Sequence, residues 1–579
     1  MVEPAAAVPA QGPSEGGFVS SGQDASAGLH VYDVLARAFA QEGVTTCFAL
    51  LGDANMNWAT RLAEHGCRMI YVRHEHCAVA AAMAFARKSG KVGVATVTCG
   101  PGLTQIMTAL PAAVRARLPL VIFAGEAPLK SGWYNQAINQ APFVAATGAD
   151  YHSLHWPERM PLAVRDAFLQ ARRERRPVVL GVPFDLQELS WTGGERLPRP
   201  ARTFMPRLSP IPPHPDGVAH AAAIVGCARR IVVMAGLGAV EAGAGPACRL
   251  LAERCDALLA TTLPARGLFH DDAFSLGIAG GFSSEMARAC FAEADLVVAV
   301  GCSLAHHNSD GGKLWPNASV LQIDIDPATV SQGRVAANSH LRADARLGAE
   351  ALVAALPPRA AEWRSTALAE RLRTTPPDSE PFEVEPGLHD PRDVVAALEA
   401  ALPADWQLVN SSGHCSYFFA HMPSRPYERF LTIREFGAIG NGISFAMGVA
   451  AACPDSTVVL FDGDGSLLMH VQELDTIRRH GLPILIVVMN DGAFGSEVHK
   501  LRAEGLSESG AVFGRADLAA IARGFGLGGD TVRDLAALPE MVARFSAQDG
   551  AALWDVPVSD RVTSPVIRRT HPPRRRGVS

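Results

Sequence analysis

The chain has 579 residues, and at roughly 100–200 residues per domain its length predicts about three to five domains. With 48% apolar and 19% charged residues it can build several cores, which excludes a disordered or fibrous protein. The net charge of −6, from 52 basic and 58 acidic residues, gives no field that would recruit nucleic acid or an anionic membrane, so any anion must be held locally.

Residues 1–28 are rich in Ala, Gly, Pro and Ser and lack the basic start and apolar core of a signal peptide, so they read as a disordered extension. The eleven cysteines are odd in number and never spaced Cys-x-x-Cys. That excludes zinc knuckles and a disulfide framework and suits a reducing, cytoplasmic compartment. No uncharged apolar run reaches the roughly 18 residues of a membrane span. A first block, 29–196, contains short apolar runs at 92–97, 119–124 and 178–182 between Ala-rich helical stretches. A Pro-rich linker at 197–215 separates it from a second block, 216–356, with runs at 231–235, 296–300 and 320–323. Another Pro-rich segment, 357–391, interrupts a charged helical patch at 360–373. The third block, 392–560, has runs at 458–461 and 484–489 around a helix at 471–479, and a basic tail at 561–579 reads as solvated. Runs apolar on both faces between helices predict three doubly wound, parallel-sheet α/β domains.

The chemistry concentrates where two of these runs end. The strand 458–461 leads into Asp462-Gly463-Asp464-Gly465-Ser466, and the strand 484–489 into Asn490-Asp491-Gly492-Ala493-Phe494-Gly495. Strand ends of parallel sheets form the ligand crevice. Gly463 and Gly465 let the backbone approach a phosphate, Ser466 can open the following helix, and Asp464 and Asp491 offer hard oxygens to Mg²⁺. Either cluster alone would be a turn. Two of them, each closing a buried strand and separated by a helix, point to a metal-bound diphosphate.

This pair resembles the thiamine diphosphate (ThDP) signature of the acetolactate synthase and pyruvate decarboxylase superfamily. The resemblance implies Mg²⁺ bound by Asp464, by Asp491 and by the carbonyl of Ala493, with Phe494 and Gly495 beside the cofactor. The family commonly has Asn at the second side-chain position, and an alternative register puts Asn490 there. The segment Tyr71-Val-Arg-His-Glu-His-Cys resembles the family's strand and glutamate, which implies Glu75 as the group that protonates the aminopyrimidine. Thr98-Cys-Gly-Pro-Gly-Leu-Thr-Gln resembles its Gly-Pro-Gly turn, placing Gly100, Gly102 and Gln105 near cofactor and substrate. Gly437-Ala-Ile-Gly implies Ile439 as the wedge under a bent cofactor, and Gly413 and His414 lie at another strand end. His414 and His76 are the preferred general acids, with Asn139, Gln140, His470, Glu497 and His499 as further pocket candidates and Lys500 or Arg502 for a substrate carboxylate.

The resemblance covers 29–560 and implies homodimers or homotetramers, with Glu75 and Asp464 of one site coming from different subunits. It implies a 2-oxo acid decarboxylated to an enamine that then attacks a second carbonyl, an acetolactate synthase-like carboligase; the alternative is a simple decarboxylase. The family's FAD segment is replaced by Ser303-Leu-Ala-His-His-Asn, which puts FAD in doubt. A nicotinamide dehydrogenase would need a better glycine fingerprint than Gly236-Leu-Gly-Ala, and a catalytically silent relative would not need Glu75.

Overall fold

The strands gather into three six-stranded sheets in a computed structural model that describes residues 28–573, apart from 195, 207, 327–332, 423–424 and 549. The extension expected at 1–28, beyond Gly28 itself, and the arginines at 574–576 lie outside the described residues.

In the first sheet β1 Thr46–Ala49, β2 Arg68–Tyr71, β3 Gly93–Val97, β4 Leu120–Glu126, β5 Asp150–Ser153 and β6 Pro177–Pro183 lie in the order β2-β1-β3-β4-β6-β5. The second runs β12-β11-β10-β7-β8-β9, from β7 Ile231–Ala235, β8 Leu258–Thr261, β9 Ser275–Ile278, β10 Leu296–Val300, β11 Ser319–Asp324 and β12 Ser339–Arg342. The third, β14-β13-β15-β16-β18-β17, is built from β13 Gln407–Asn410, β14 Phe430–Thr432, β15 Val458–Gly463, β16 Ile484–Asn490, β17 Gly528–Thr531 and β18 Ala552–Pro557. Neighbours in the third sheet pair in parallel, as do those in the other two. The expected fold class is what forms. β15 and β16 run past their apolar stretches into Gly463 and Asn490, because the ladder between them continues where the hydrophobic pattern stops.

The first and third sheets share one strand order, and in each the direction of assembly switches between adjacent central strands, β1 and β3 in the first and β13 and β15 in the third. Such switch points open a crevice at the carboxyl ends of the strands. The middle sheet has the order of a dinucleotide-binding domain, but its glycines serve packing: a Cβ on Gly236 would stand 2.3 Å from the carbonyl oxygen of Gly301.

Helix α1, Glu75–Ser89, is capped by the His74 ring, which accepts the N–H of His76 at 3.1 Å, and ends at Gly90 with φ 68°. Its residues Cys77 to Ala86 are all buried, since one side meets its own sheet and another meets α2, Gly442–Ala452, of the third domain. Small side chains let the helices touch: a Cβ on Gly448 would lie 2.2 Å from the Ala81 carbonyl oxygen. One apolar core therefore runs through the first and third domains of the same chain.

The stretch expected as a solvated tail is folded through residue 573. Helix α6, Pro565–Thr570, follows a fully buried Ser564, and Arg568 pairs with Asp378 at 2.5 Å. A buried carboxylate was available to take up a charge that the sequence alone leaves facing water. All eleven cysteines are free, and among the described residues no helix is long and apolar enough to cross a membrane.

Candidate cofactor site

Three strand ends of the third domain converge. β13 leads to Ser411–His414, β15 into the turn that opens α3, Asp464–Met469, and then α4, Glu473–Arg479, and β16 into the loop before α5, Gly495–Glu504. Twelve residues singled out in the sequence line one pocket here: Gly413, His414, Ile439, Gly463, Asp464, Gly465, Ser466, Asp491, Ala493, Phe494, Gly495 and Glu497.

The backbone aims the two carboxylates at this pocket. Asp464 accepts the N–H of Gly465 at 2.9 Å on Oδ1 and of Gly492 at 2.8 Å on Oδ2, and Asp491 accepts the N–H of Ala493 at 3.2 Å. A Cβ on Gly495 would stand 2.4 Å from Asp491 Oδ2, so only glycine lets the loop close over the acid. Burial pushes Asp464 up to about 6 and raises Asp491 well above the carboxylate range, the neighbouring Asp464 charge adding to the second shift. Among the described residues no Lys or Arg forms a salt bridge with either acid. A buried and a half-buried carboxylate left facing each other create a demand for a cation.

Of the two register candidates, Asp491 lines the pocket and Asn490 does not. Asn490 donates its amide to the Ala516 carbonyl at 3.0 Å and to Asp555 at 2.9 Å, away from Asp464. Ser466 Oγ accepts the N–H of Gly440 at 2.9 Å and meets Ser411 Oγ at 3.0 Å, which ties the Ile439 loop to the aspartate turn. Asp462, beneath the turn, was given no role in the sequence; it is fully buried, accepts the N–H of Gly463 at 2.9 Å and is pushed up to about 7 by burial.

The first-domain residues form a separate half. Glu75 is half-buried, its carboxyl raised by that burial, and its Oε1 lies 3.6 Å from where a Cβ on Gly102 would stand. Gly100, at φ 58°, donates its N–H to Gln140 Oε1 at 2.8 Å. Gln105 is exposed. No residue of the first domain lines the aspartate pocket of its own chain.

His76 joins neither half. It is 5% exposed, its Nε2 lies 2.5 Å from Asn441 Oδ1, and its ring stacks on His470 between the first and third domains. A strand-to-helix junction beside Glu75 looked like a reactive position; packing against α2 makes it an interdomain contact instead. Arg502 is likewise engaged, with Glu508 and Asp560, and Lys500 with Glu497. A cleft of about 1170 Å³ lies between β9 and the third domain, where acids such as Asp272 and Asp378 already hold arginine partners.

Residues 29–142, 218–352 and 411–556 match, in that order, the N-terminal TPP binding domain, the central domain and the C-terminal TPP binding domain of the thiamine pyrophosphate enzymes. The chain belongs to this family. Thiamine pyrophosphate is the ThDP of the sequence resemblance, and this thiamine pyrophosphate enzyme is 31% identical to the acetolactate synthase large subunit of Parasynechococcus marenigrum, over 86% of the chain and 82% of that protein. It is 29% identical to a probable acetolactate synthase large subunit of Methanocaldococcus jannaschii, over 80% of each. A probable 2-ketoarginine decarboxylase of Pseudomonas aeruginosa is also 29% identical, over 90% of the chain and 93% of its own length. The family excludes the dehydrogenase reading.

Proposed function

We propose that this thiamine pyrophosphate enzyme binds ThDP with Mg²⁺ at the aspartate pocket and acts on a 2-oxo acid, joining the decarboxylated donor to a second carbonyl compound. The observation that carries the reading is the Asp464–Asp491 pair, which lines one pocket, forms no salt bridge with Lys or Arg among the described residues and lies at the tips of adjacent strands. Asp464, Asp491 and the Ala493 carbonyl would hold the metal, while glycines 463 and 465 leave room for the diphosphate. Bound ThDP supplies the carbon nucleophile and the electron sink that release of CO₂ from a 2-oxo acid requires.

Glu75 holds the proton exchanged with the aminopyrimidine, and burial raises its carboxyl above the ordinary value, which favours the protonated form. The Asp464 pocket contains nothing from the first domain of its own chain, which supports a homodimer or homotetramer with Glu75 supplied by a neighbouring subunit. His414 lines the same pocket, but burial lowers its pKa well below the ordinary imidazole value, which suits a neutral hydrogen-bond donor better than the general acid expected from the sequence. We place the enzyme in the cytoplasm and leave FAD out of the site.

Ligation is supported by the acetolactate synthase relatives. A simple decarboxylase is the second reading, favoured by the 2-ketoarginine decarboxylase relative, which aligns over 93% of its length. Supplying 2-oxo acids one at a time and in pairs, with ThDP and Mg²⁺, and identifying the organic product tests the two. A hydroxyketone or acetohydroxy acid supports ligation; aldehyde alone supports decarboxylation; no CO₂ from any donor contradicts both.

A further inference from the structure

The C-terminal segment reaches back to the cofactor pocket. Helix α6 is fastened to Asp378 through Arg568 and to the middle-domain carbonyl of Gly281 through Arg569, at 2.7 Å. Just before it, Thr563 Oγ1 lies 2.8 Å from Nδ1 of His499, and the backbone N–H of Ser564 donates to Nε2 of His414 at 3.1 Å. The two imidazoles pack with their centroids 4.6 Å apart.

A backbone N–H can only donate, so the ring nitrogen that receives it carries no proton. Burial holds His414 neutral, with the nearby His499 and Lys500 acting in the same direction. The one ring proton therefore sits on Nδ1. That atom lies 3.1 Å from where a Cβ on Gly495 would stand, on the loop that carries Asp491, and among the described residues no side chain or carbonyl accepts from it. The Ser564 hydroxyl is buried without a partner, so it is the main chain at this position that acts.

We propose that Ser564, through its backbone N–H, is a positioning residue that fixes His414 as the Nδ1–H tautomer and so presents a hydrogen-bond donor to the anion bound in the pocket. This rests on the pocket holding a diphosphate, and it gives the C-terminal segment a part in that site.

Ser564 has φ −62°, close to the value of about −65° that proline imposes, so Ser564→Pro removes the donor without forcing the residue's own backbone. Ser564→Ala keeps the N–H and removes only the idle hydroxyl. In ¹⁵N-histidine spectra of the protein without cofactor, with the His414 signals assigned by their loss in His414→Gln, wild type and Ser564→Ala should show protonated Nδ1 and bare Nε2, and Ser564→Pro should lose that pattern. Calorimetry with Mg²⁺ present should show ThDP affinity weakened about tenfold in Ser564→Pro, the size expected for one hydrogen bond to an anion, and nearly unchanged in Ser564→Ala. His414 as the Nε2–H tautomer in wild type overturns the proposal, as does Ser564→Pro with wild-type spectra and affinity. Should the proline variant fail to fold, the wild-type and alanine spectra decide. An Nδ1–H His414 in protein that takes up no ThDP would support the tautomer assignment and defeat the proposed function instead.

Discussion

His76 lies flat on His470, centroids 5.0 Å apart and planes within 7°, across the seam between the first and third domains of one chain. Burial pushes His76 down to about 4, and it lowers His470 and His74 as well. Native protein therefore binds fewer protons here than unfolded chain, and the stability contributed is complete above the ordinary histidine pKa of about 6.5 and lost as pH falls toward 4. His76→Gln should flatten this acid limb in denaturant titrations run at successive pH values. It should leave turnover within a few-fold, since the ring faces Asn441 and His470 and not the pocket.

Glu75→Gln should retain ThDP and Mg²⁺ and lose most turnover, by about 10²–10⁴-fold for a missing acid–base group. Steady-state kinetics beside cofactor titration separates the two effects. Asp464→Ala should instead fail to take up the cofactor, because two backbone N–H bonds and half of the carboxylate pair go with that side chain.

The carboxylate pair makes a pH prediction with the opposite sign to the histidines. Asp464 and Asp491 have raised pKa values, so the metal-free protein binds more protons than the unfolded chain, and its stability falls as pH rises from about 4 through about 6. Asp491→Asn removes the repulsion and should raise the melting temperature of metal-free protein at pH 8, a gain that shrinks on acidification. Divalent ion uptake by wild type should weaken as pH falls below about 6, where protons compete for Asp464.

The α1–α2 contact allows no side chain at 448. Gly448→Leu should force the helices apart and destabilise by about 3 kcal/mol or more, as overpacking a core position does, read as a lower denaturation midpoint. Gly413→Ala addresses a different constraint: φ there is 110° and the space is open, so any loss reflects backbone strain alone.

What the sequence disclosed follows from which interactions are local. β15 and β16 are continuous apolar runs that end in aspartate and glycine, so the fold class and a strand-end pocket lined by acids could be read from the pattern. Choosing Asp491 over Asn490 needed the third dimension, because only the placement of Asp555 and Ala516 shows which way Asn490 turns. The surroundings of His76 are hidden for a similar reason: its neighbour in sequence is Glu75, but its neighbours in space are Asn441 and His470. Ser564 carried no signal at all. A main-chain N–H that reaches a histidine 150 positions earlier leaves no trace in residue type or period.

The most direct test of the central claim is subunit exchange. Glu75→Gln and Asp464→Ala proteins, each inactive alone, are mixed, allowed to exchange and assayed with ThDP, Mg²⁺ and a 2-oxo acid. If Glu75 serves the aspartate pocket of a neighbouring subunit, each mixed dimer has one intact site, and activity should recover to about a quarter of wild type. Exchange confirmed by mass spectrometry with no recovery of activity would contradict the shared site.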